Sequence, residues 1–286
     1  MVAKILDGKF YANKIFDSIS ETVKLKIKDG KSAPCLVVIL IGNDFSSNLY
    51  VKNKVIACNK VGFISRVFKV SKSVKSVDLL NLIKIFNNDS FIHGILIQLP
   101  LPDKLNTEEL FESISPFKDV DLLSPLSFGR YVTAYRNHMI PCTPAAVMVL
   151  LKSINIDLSG LTASVIGMSN IVGKPLIFEL LKAKISVIVV SKYCLKFLDY
   201  IKFSDIIVSA VGKPGLISGR SIKNGSIVID VGINSIVKNK VIGDVDFETA
   251  RNIAGWITPV PGGVGPLTIS KLLENTLNLY LSFMCK

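Results

Sequence analysis

Histidine is nearly absent from this chain, with His93 and His138 the only two among 286 residues. A zinc site built on imidazole has too few ligands to draw on. Cysteine does not fill the gap. Cys35, Cys58, Cys142, Cys194 and Cys285 are odd in number, scattered, and form no C-x-x-C pair. Reduced, mostly buried thiols are expected rather than a disulfide framework, and no metal is expected. Long apolar runs are missing too. "CLVVILI" (35–41) falls well short of the roughly eighteen residues of a membrane span and suits a buried strand. The N-terminal stretch is punctuated by charges, lacks the apolar core of a signal peptide, and reads as an amphipathic helix. No membrane partner is expected, and the cytoplasm is the expected compartment. Acidic residues are also in deficit, 22 against 34 basic ones, for a net charge of +12. Three readings stand: a nucleic-acid partner, an overall compositional bias, or a polyanionic small ligand. The positive charge is spread along the chain without a nucleic-acid motif, which disfavours the first.

What is present is apolar residue enough, 49%, to fill the cores of two ordinary domains. The fold class is α/β. From about residue 140 onward, β-branched runs at 163–167, 186–191, 205–212 and 226–233 alternate with helical stretches. That interval predicts parallel strands with crossover helices, a doubly wound sheet. The first half reads as helix 9–28, strand 35–41, helix 46–61, strand 66–70, helix 76–87 and strand 93–98. The Pro- and Gly-containing region 116–140 is the candidate join.

Four stretches carry candidate chemistry. "YVKNK" (50–54) puts Tyr50 and Lys54 one turn apart on the helix that Ser46 or Ser47 would cap. At 100° per residue, Val51, Val55 and Cys58 form one apolar stripe, and Tyr50, Lys54, Ala57 and Val61 a second beside it. Lys54 thus sits with the apolar side, either as a functional amine or as a stem snorkelling from the core edge. "GILIQLPLP" (94–102) is a buried-looking strand ending in Gln98, which can project into a ligand crevice or be a satisfied strand-end amide. "KDVD" (118–121) supplies Asp119 and Asp121; taken alone, two acids in a loop are usually surface charge. "SVIGMSNIVGKPL" (164–176) is strand, turn and helix. Ser169 replaces the second glycine of a G-x-G-x-x-G loop, but the context suits a pyrophosphate at a helix N-terminus. The next strand ends in Ser191 and Lys192 rather than in the carboxylate that an NAD site places there. A hydroxyl and a cation suit the extra phosphate of NADP, unless Lys192 is simply one more exposed lysine.

These stretches occur in order with "PCTP" (141–144), "AVGKPG" (210–215), "VIDVGIN" (228–234), "GDVDF" (243–247) and "TPVPGGVGPLT" (258–268). Together they resemble the bifunctional methylenetetrahydrofolate dehydrogenase/methenyltetrahydrofolate cyclohydrolase family over nearly the whole chain. The resemblance implies two α/β domains flanking a cleft. Residues 1–139 would form the catalytic, folate-binding domain, joined by a final helix at 266–286. Residues 140–265 would form a Rossmann-like NADP-binding domain. A homodimer is also implied. It makes Lys54 the catalytic lysine, Gln98 its partner and Asp121 the carboxylate on the pterin. Tyr50 would stack on the folate, with Leu99, Pro261 and Gly262 at the substrate. Gly167, Met168 and Ser169 would form the nucleotide loop, and Ile233 a backbone contact on the nicotinamide side. Two departures stand out. Leu122 follows "KDVD" where the family usually has Gly, and Lys192 stands where many members have Arg, keeping the charge without the bidentate fork.

The implied chemistry is NADP-dependent oxidation of 5,10-methylenetetrahydrofolate followed by hydrolysis of the methenyl cation to 10-formyltetrahydrofolate. The first step needs orientation; the second profits from a base. A lysine amine near pKa ~10.4 in water becomes one when burial and a substrate cation lower its proton affinity. The +12 is then assigned to composition plus two anionic ligands, NADP and a folate glutamate tail, single or polyglutamylated. Short-chain dehydrogenases share Tyr-x-x-x-Lys, but there the pair follows the glycine loop, whereas Tyr50 precedes Gly167. A member with only one of the two activities, and a basic nucleic-acid-binding protein, are the remaining alternatives.

Overall fold

A computed structural model describes residues 2–134, 139–237 and 240–284; His138 and Cys285, and part of the region expected to join the halves, lie outside these. The chain divides into two compact units, Asn13–Pro141 with Ile269–Lys286, and Met1–Ala12 with Cys142–Thr268.

In the first of these units, β2 (Cys35–Ile41) is flanked by β3 (Ile64–Val70) and β4 (Gly94–Ile97), all parallel. β2 is buried along its whole length, as an unbroken aliphatic run in a covered parallel sheet should be. The crossovers are α2 (Phe45–Val61) and α3 (Ser76–Asn88), with α4 (Thr107–Glu112) and α5 (Pro125–Val132) following β4. Val37, Ile39 and Ile41 of β2 pack with Leu79, Ile83 and Phe86 of α3 into one core. Segment 118–121 lies along the outer edge of β4. The Ile95 N–H donates to the Lys118 carbonyl at 2.8 Å. Gly94 makes room for it, since a Cβ there would stand 2.5 Å from Val120 Cγ1. The later part of α10 (Val264–Met284) completes this unit. Asn275 Nδ2 donates to the Val120 carbonyl at 3.0 Å and to that of Ile140 at 2.9 Å, and the Tyr280 hydroxyl to the Ser32 carbonyl at 2.7 Å.

The second unit is built on six parallel strands in the order β1-β11-β8-β7-β5-β6. These are β1 (Lys4–Ile5), β5 (Thr162–Ile166), β6 (Ser186–Val190), β7 (Ile206–Ser209), β8 (Ile227–Asp230) and β11 (Trp256–Ile257). The helices are α1 (Gly8–Lys28), which starts here, α6 (Cys142–Ser153), α7 (Gly173–Lys182), α8 (Phe197–Phe203) and α9 (Phe247–Ala250). A hairpin, β9 (Asn234–Val237) with β10 (Lys240–Ile242), stands apart. The chain runs from β5 out to β6, then crosses back over β5 to β7. The direction of winding therefore reverses between β5 and β7, the switch point where such sheets open a ligand crevice beyond their C-terminal ends. This is the doubly wound sheet expected from sequence. β1 was not expected: two residues with both side chains exposed leave no apolar pattern. It pairs through Lys4 N–H to the Gly255 carbonyl at 2.9 Å and Leu6 N–H to that of Ile257 at 2.9 Å, with the Lys4 ammonium 4.9 Å from the centre of the Trp256 ring.

Candidate active site

Helix α2 starts at Phe45, ahead of both expected serine caps. Asp44 is the N-cap, its carboxylate accepting from Ser47 N–H at 2.8 Å and Ser47 Oγ at 3.0 Å. Ser47, Val51, Ala57, Cys58 and Val61 are buried, which leaves Tyr50 and Lys54 half-buried at the flank of that face. Lys54 Nζ donates to Gln98 Oε1 at 2.7 Å. Gln98 is itself fixed twice. Its N–H continues the sheet ladder to the Ile39 carbonyl at 2.9 Å, and its Nε2 donates to the Leu99 carbonyl at 2.7 Å. The second bond orients the amide so that oxygen, not nitrogen, faces Lys54. Burial pushes the Tyr50 phenol up to about 12, so it presents a neutral ring, suited to stacking.

The acids of "KDVD" take different roles. Asp119 is not surface charge: it is 1% exposed. Its two oxygens accept from the Leu123 N–H at 3.0 Å and the Ser124 N–H at 2.9 Å, closing the turn into α5. Burial drives its carboxyl above the usual range, opposed by these same bonds. Asp121 is half-buried, two residues along the segment that β4 and Asn275 hold. Leu122 adopts φ +54°, the left-handed region, with its side chain buried. A glycine would adopt that conformation without strain.

In the second unit, Gly167 follows β5 with φ +102°. A Cβ on it would stand 2.5 Å from the Ala210 carbonyl oxygen, and one on Gly173 2.0 Å from the Gly167 oxygen. The turn is thus pressed between the first turn of α7 and the end of β7. Ser169 Oγ accepts from Val172 N–H at 3.1 Å, and no side chain caps α7. Met168, Ser169 and Ile233 lie at the surface. After β6, Ser191 Oγ accepts from Tyr193 N–H at 3.3 Å, and the exposed Lys192 holds its ammonium 5.0 Å from the centre of the Tyr193 ring. Pro261 is exposed on the 259–263 loop, and Gly262 follows it with φ +116°. Gly262 accepts from Lys9 N–H at 3.2 Å.

Two family models match in sequence order. The tetrahydrofolate dehydrogenase/cyclohydrolase catalytic domain covers residues 6–121, and the NAD(P)-binding domain of the same enzymes covers 141–283. This chain belongs to the tetrahydrofolate dehydrogenase/cyclohydrolase family. Solved structures agree along the full length. The bifunctional FolD methylenetetrahydrofolate dehydrogenase/cyclohydrolase of Campylobacter jejuni is 41% identical with a TM-score of 0.94, over 98% of this chain and 99% of that one. The Trypanosoma brucei enzyme, solved with NADP cofactor and inhibitor, is 35% identical with a TM-score of 0.95, over 100% of both. The Thermoplasma acidophilum enzyme is 33% identical with a TM-score of 0.90, over 99% of this chain and 100% of that one.

A family NAD(P)-binding domain must cradle a dinucleotide, and the residues present fit one. At Gly167 and Gly173 the turn has no room for a Cβ, so it lies tight against the residue after β7 and ends at a helix start without a side-chain cap, where a pyrophosphate would be received by backbone N–H groups. Ser191 and Lys192, rather than a carboxylate, directly follow β6. Of the expected residues, Tyr50, Lys54, Gln98, Leu99 and Asp121 lie in the first unit; Gly167, Met168, Ser169, Ser191, Lys192, Ile233, Pro261 and Gly262 lie in the second. Among them, Lys54 and Gln98 are in direct side-chain contact. Sequence reasoning missed Gly94 and Asn275, which hold the Asp121 segment; the signal for Gly94 was a small residue opening an otherwise bulky strand.

Proposed function

We propose that this chain oxidises 5,10-methylenetetrahydrofolate with NADP and hydrolyses the resulting 5,10-methenyltetrahydrofolate to 10-formyltetrahydrofolate, with folate on the first unit and nucleotide on the second. NADP, when bound, supplies the hydride acceptor. Gly167, Met168 and Ser169 would hold its pyrophosphate, Ser191 and Lys192 its extra phosphate, and the Ile233 backbone the nicotinamide side. Tyr50 stacks on the folate, Asp121 pairs with the pterin ring, and Leu99, Pro261 and Gly262 line the substrate.

The observation that carries the hydrolytic reading is the 2.7 Å bond from Lys54 to Gln98. Water attacking the methenyl carbon must lose a proton. Lys54, as a neutral amine, takes it; Gln98 occupies one N–H and so fixes where the amine lone pair points. Hydride removal needs no such base. Lys54→Met is therefore expected to lower hydrolysis by about a hundredfold or more while leaving hydride transfer much less affected. Equal loss of both, with folate binding intact, would rule the division out. The test supplies methylenetetrahydrofolate with NADP or NAD and follows reduced nucleotide together with the methenyl species. Reduction without methenyl build-up supports both activities; build-up means an impaired hydrolase; no reduction with either nucleotide sinks the redox reading.

A cytoplasmic homodimer is part of the proposal. β6 is the last strand of its sheet, and Val189 on it, with Leu195, Leu198 and Phe203 beyond it, is exposed. An apolar edge strand of this kind invites a second copy. The net charge of +12 suits two anionic ligands, NADP and a folate glutamate tail, single or polyglutamylated.

A further inference from the structure

At the C-terminal edge of the six-stranded sheet, two buried carboxylates bind the backbone of the loops around the switch point. Asp244 is fully buried. Its Oδ2 accepts from Ser209 Oγ at 2.8 Å, Val211 N–H at 2.9 Å and Gly212 N–H at 3.3 Å; its Oδ1 accepts from Lys213 N–H at 2.8 Å. Asp230, the last residue of β8, accepts from Gly232 N–H at 2.9 Å and Asp244 N–H at 3.0 Å through Oδ1, and from Val245 N–H at 2.9 Å through Oδ2. Its own N–H donates to Thr258 Oγ1 at 2.8 Å. The arrangement is built around missing side chains. A Cβ on Gly232 would stand 2.2 Å from the Asp244 carboxyl carbon, and one on Gly243 would stand 1.9 Å from Asp230 Oδ2.

Burying two carboxylates is costly, and only a full set of donors offsets it. The sheet does not need them, because its ladders are made by backbone alone. What they fix are the loops. Val211–Lys213 continues directly from Ala210, whose carbonyl presses on Gly167, and Gly232 precedes Ile233. We propose that Asp244, seated by Asp230, is a positioning residue for the dinucleotide. It holds the 211–213 backbone against the Gly167 turn, so that the crevice has its bound shape before the nucleotide arrives. This rests on the nucleotide reading above. Without the carboxylate, three backbone N–H groups lose their acceptor and the wall relaxes. Lys54 and Gln98 belong to the other unit, so hydrolysis of added methenyltetrahydrofolate should continue.

The test is calorimetric titration of the full-length protein with NADP, beside its methenyl hydrolysis rate without nucleotide. Asp244→Asn turns an amide donor toward backbone donors. It should weaken NADP binding about tenfold or more and leave hydrolysis within about twofold of the parent. Undiminished NADP affinity in Asp244→Asn overturns the proposal. If that variant loses its circular dichroism, Ser209→Ala decides. It removes one hydroxyl, and about threefold weaker NADP binding supports the role, whereas unchanged binding overturns it. A parent protein that binds no NADP overturns the nucleotide reading and this inference with it; loss confined to the variants is specific to Asp244.

Discussion

Leu122 combines a backbone angle that disfavours a side chain with a side chain that is buried. The left-handed conformation costs about 1–2 kcal/mol for an L-residue, while a buried leucine contributes about 2–5 kcal/mol when measured by truncation. The second effect wins, which is how the "KDVD" turn keeps a leucine at an angle that suits glycine. The balance predicts an unusual order. Leu122→Ala loses packing and keeps the strain; Leu122→Gly loses slightly more packing but sheds the strain. Urea unfolding should find both destabilised, by about 2 kcal/mol or more, with the glycine variant no worse than the alanine one. A glycine variant clearly less stable would mean that φ at 122 carries little strain. His93 makes a second case. Its Nδ1 accepts from the Cys35 N–H at 3.0 Å, and burial, then the Lys118 ammonium, pull its imidazole down to about 4. The folded value lies below the ordinary one near ~6.5, so the unfolded chain binds the extra proton. Stability present above about 6.5 is lost as pH falls toward 4. His93→Gln keeps an acceptor without that proton, and its melting temperature should fall less steeply than the parent's over that window. Parallel slopes would remove His93 from the acid response. Position 122 stood out in sequence as a leucine in a glycine's place, but neither its positive φ nor its burial did, and a lone histidine says nothing of the amide it caps.

Among elements, β4 and α2 were read well because their patterns are strong. A strand of Gly-Ile-Leu-Ile and a helix with two apolar stripes leave few alternatives, and Lys54 lies half-buried at the flank of the apolar face, where the pattern put it; that Gln98 is its partner was implied by the family resemblance and not by the stripe. The α2 cap was misread because Asp44, Ser46 and Ser47 can each cap a helix, and only geometry shows that Asp44 accepts the bond. Asp119 was harder still, since the donors that justify burying it, at 123 and 124, are backbone groups with no sequence signature. Gly94 is where β4 makes its demand on the 118–121 segment. Gly94→Ala puts a methyl group 2.5 Å from Val120 Cγ1 and must push that segment off the strand. Overpacking of this kind costs about 1–3 kcal/mol. Because Asp121, proposed above to pair with the pterin, is next to Val120, folate KM should rise more than NADP KM in steady-state assays; equal rises would indicate general loosening instead.

At the scale of the molecule, the doubly wound sheet and the alternation of strands and helices were legible, because parallel strands demand β-branched runs at crossover spacing. The proposed dimer is testable on the β6 edge. Val189→Lys should shift sedimentation from dimer toward monomer at micromolar concentration, since a charge on an edge strand opposes pairing. A parent that sediments as a monomer would dispose of the dimer altogether. Neither compact unit is a single run of chain, and this has a consequence for synthesis. The "KDVD" segment waits for Asn275 and Ser32 waits for Tyr280, while β1 waits for β11. A ribosome that has translated half of this message has released the whole of β2, β3 and β4, yet the helix that closes them is still unmade. Chains emerging from it therefore carry an open hydrophobic surface until residue 280 is clear of the exit tunnel, an interval in which aggregation competes with folding.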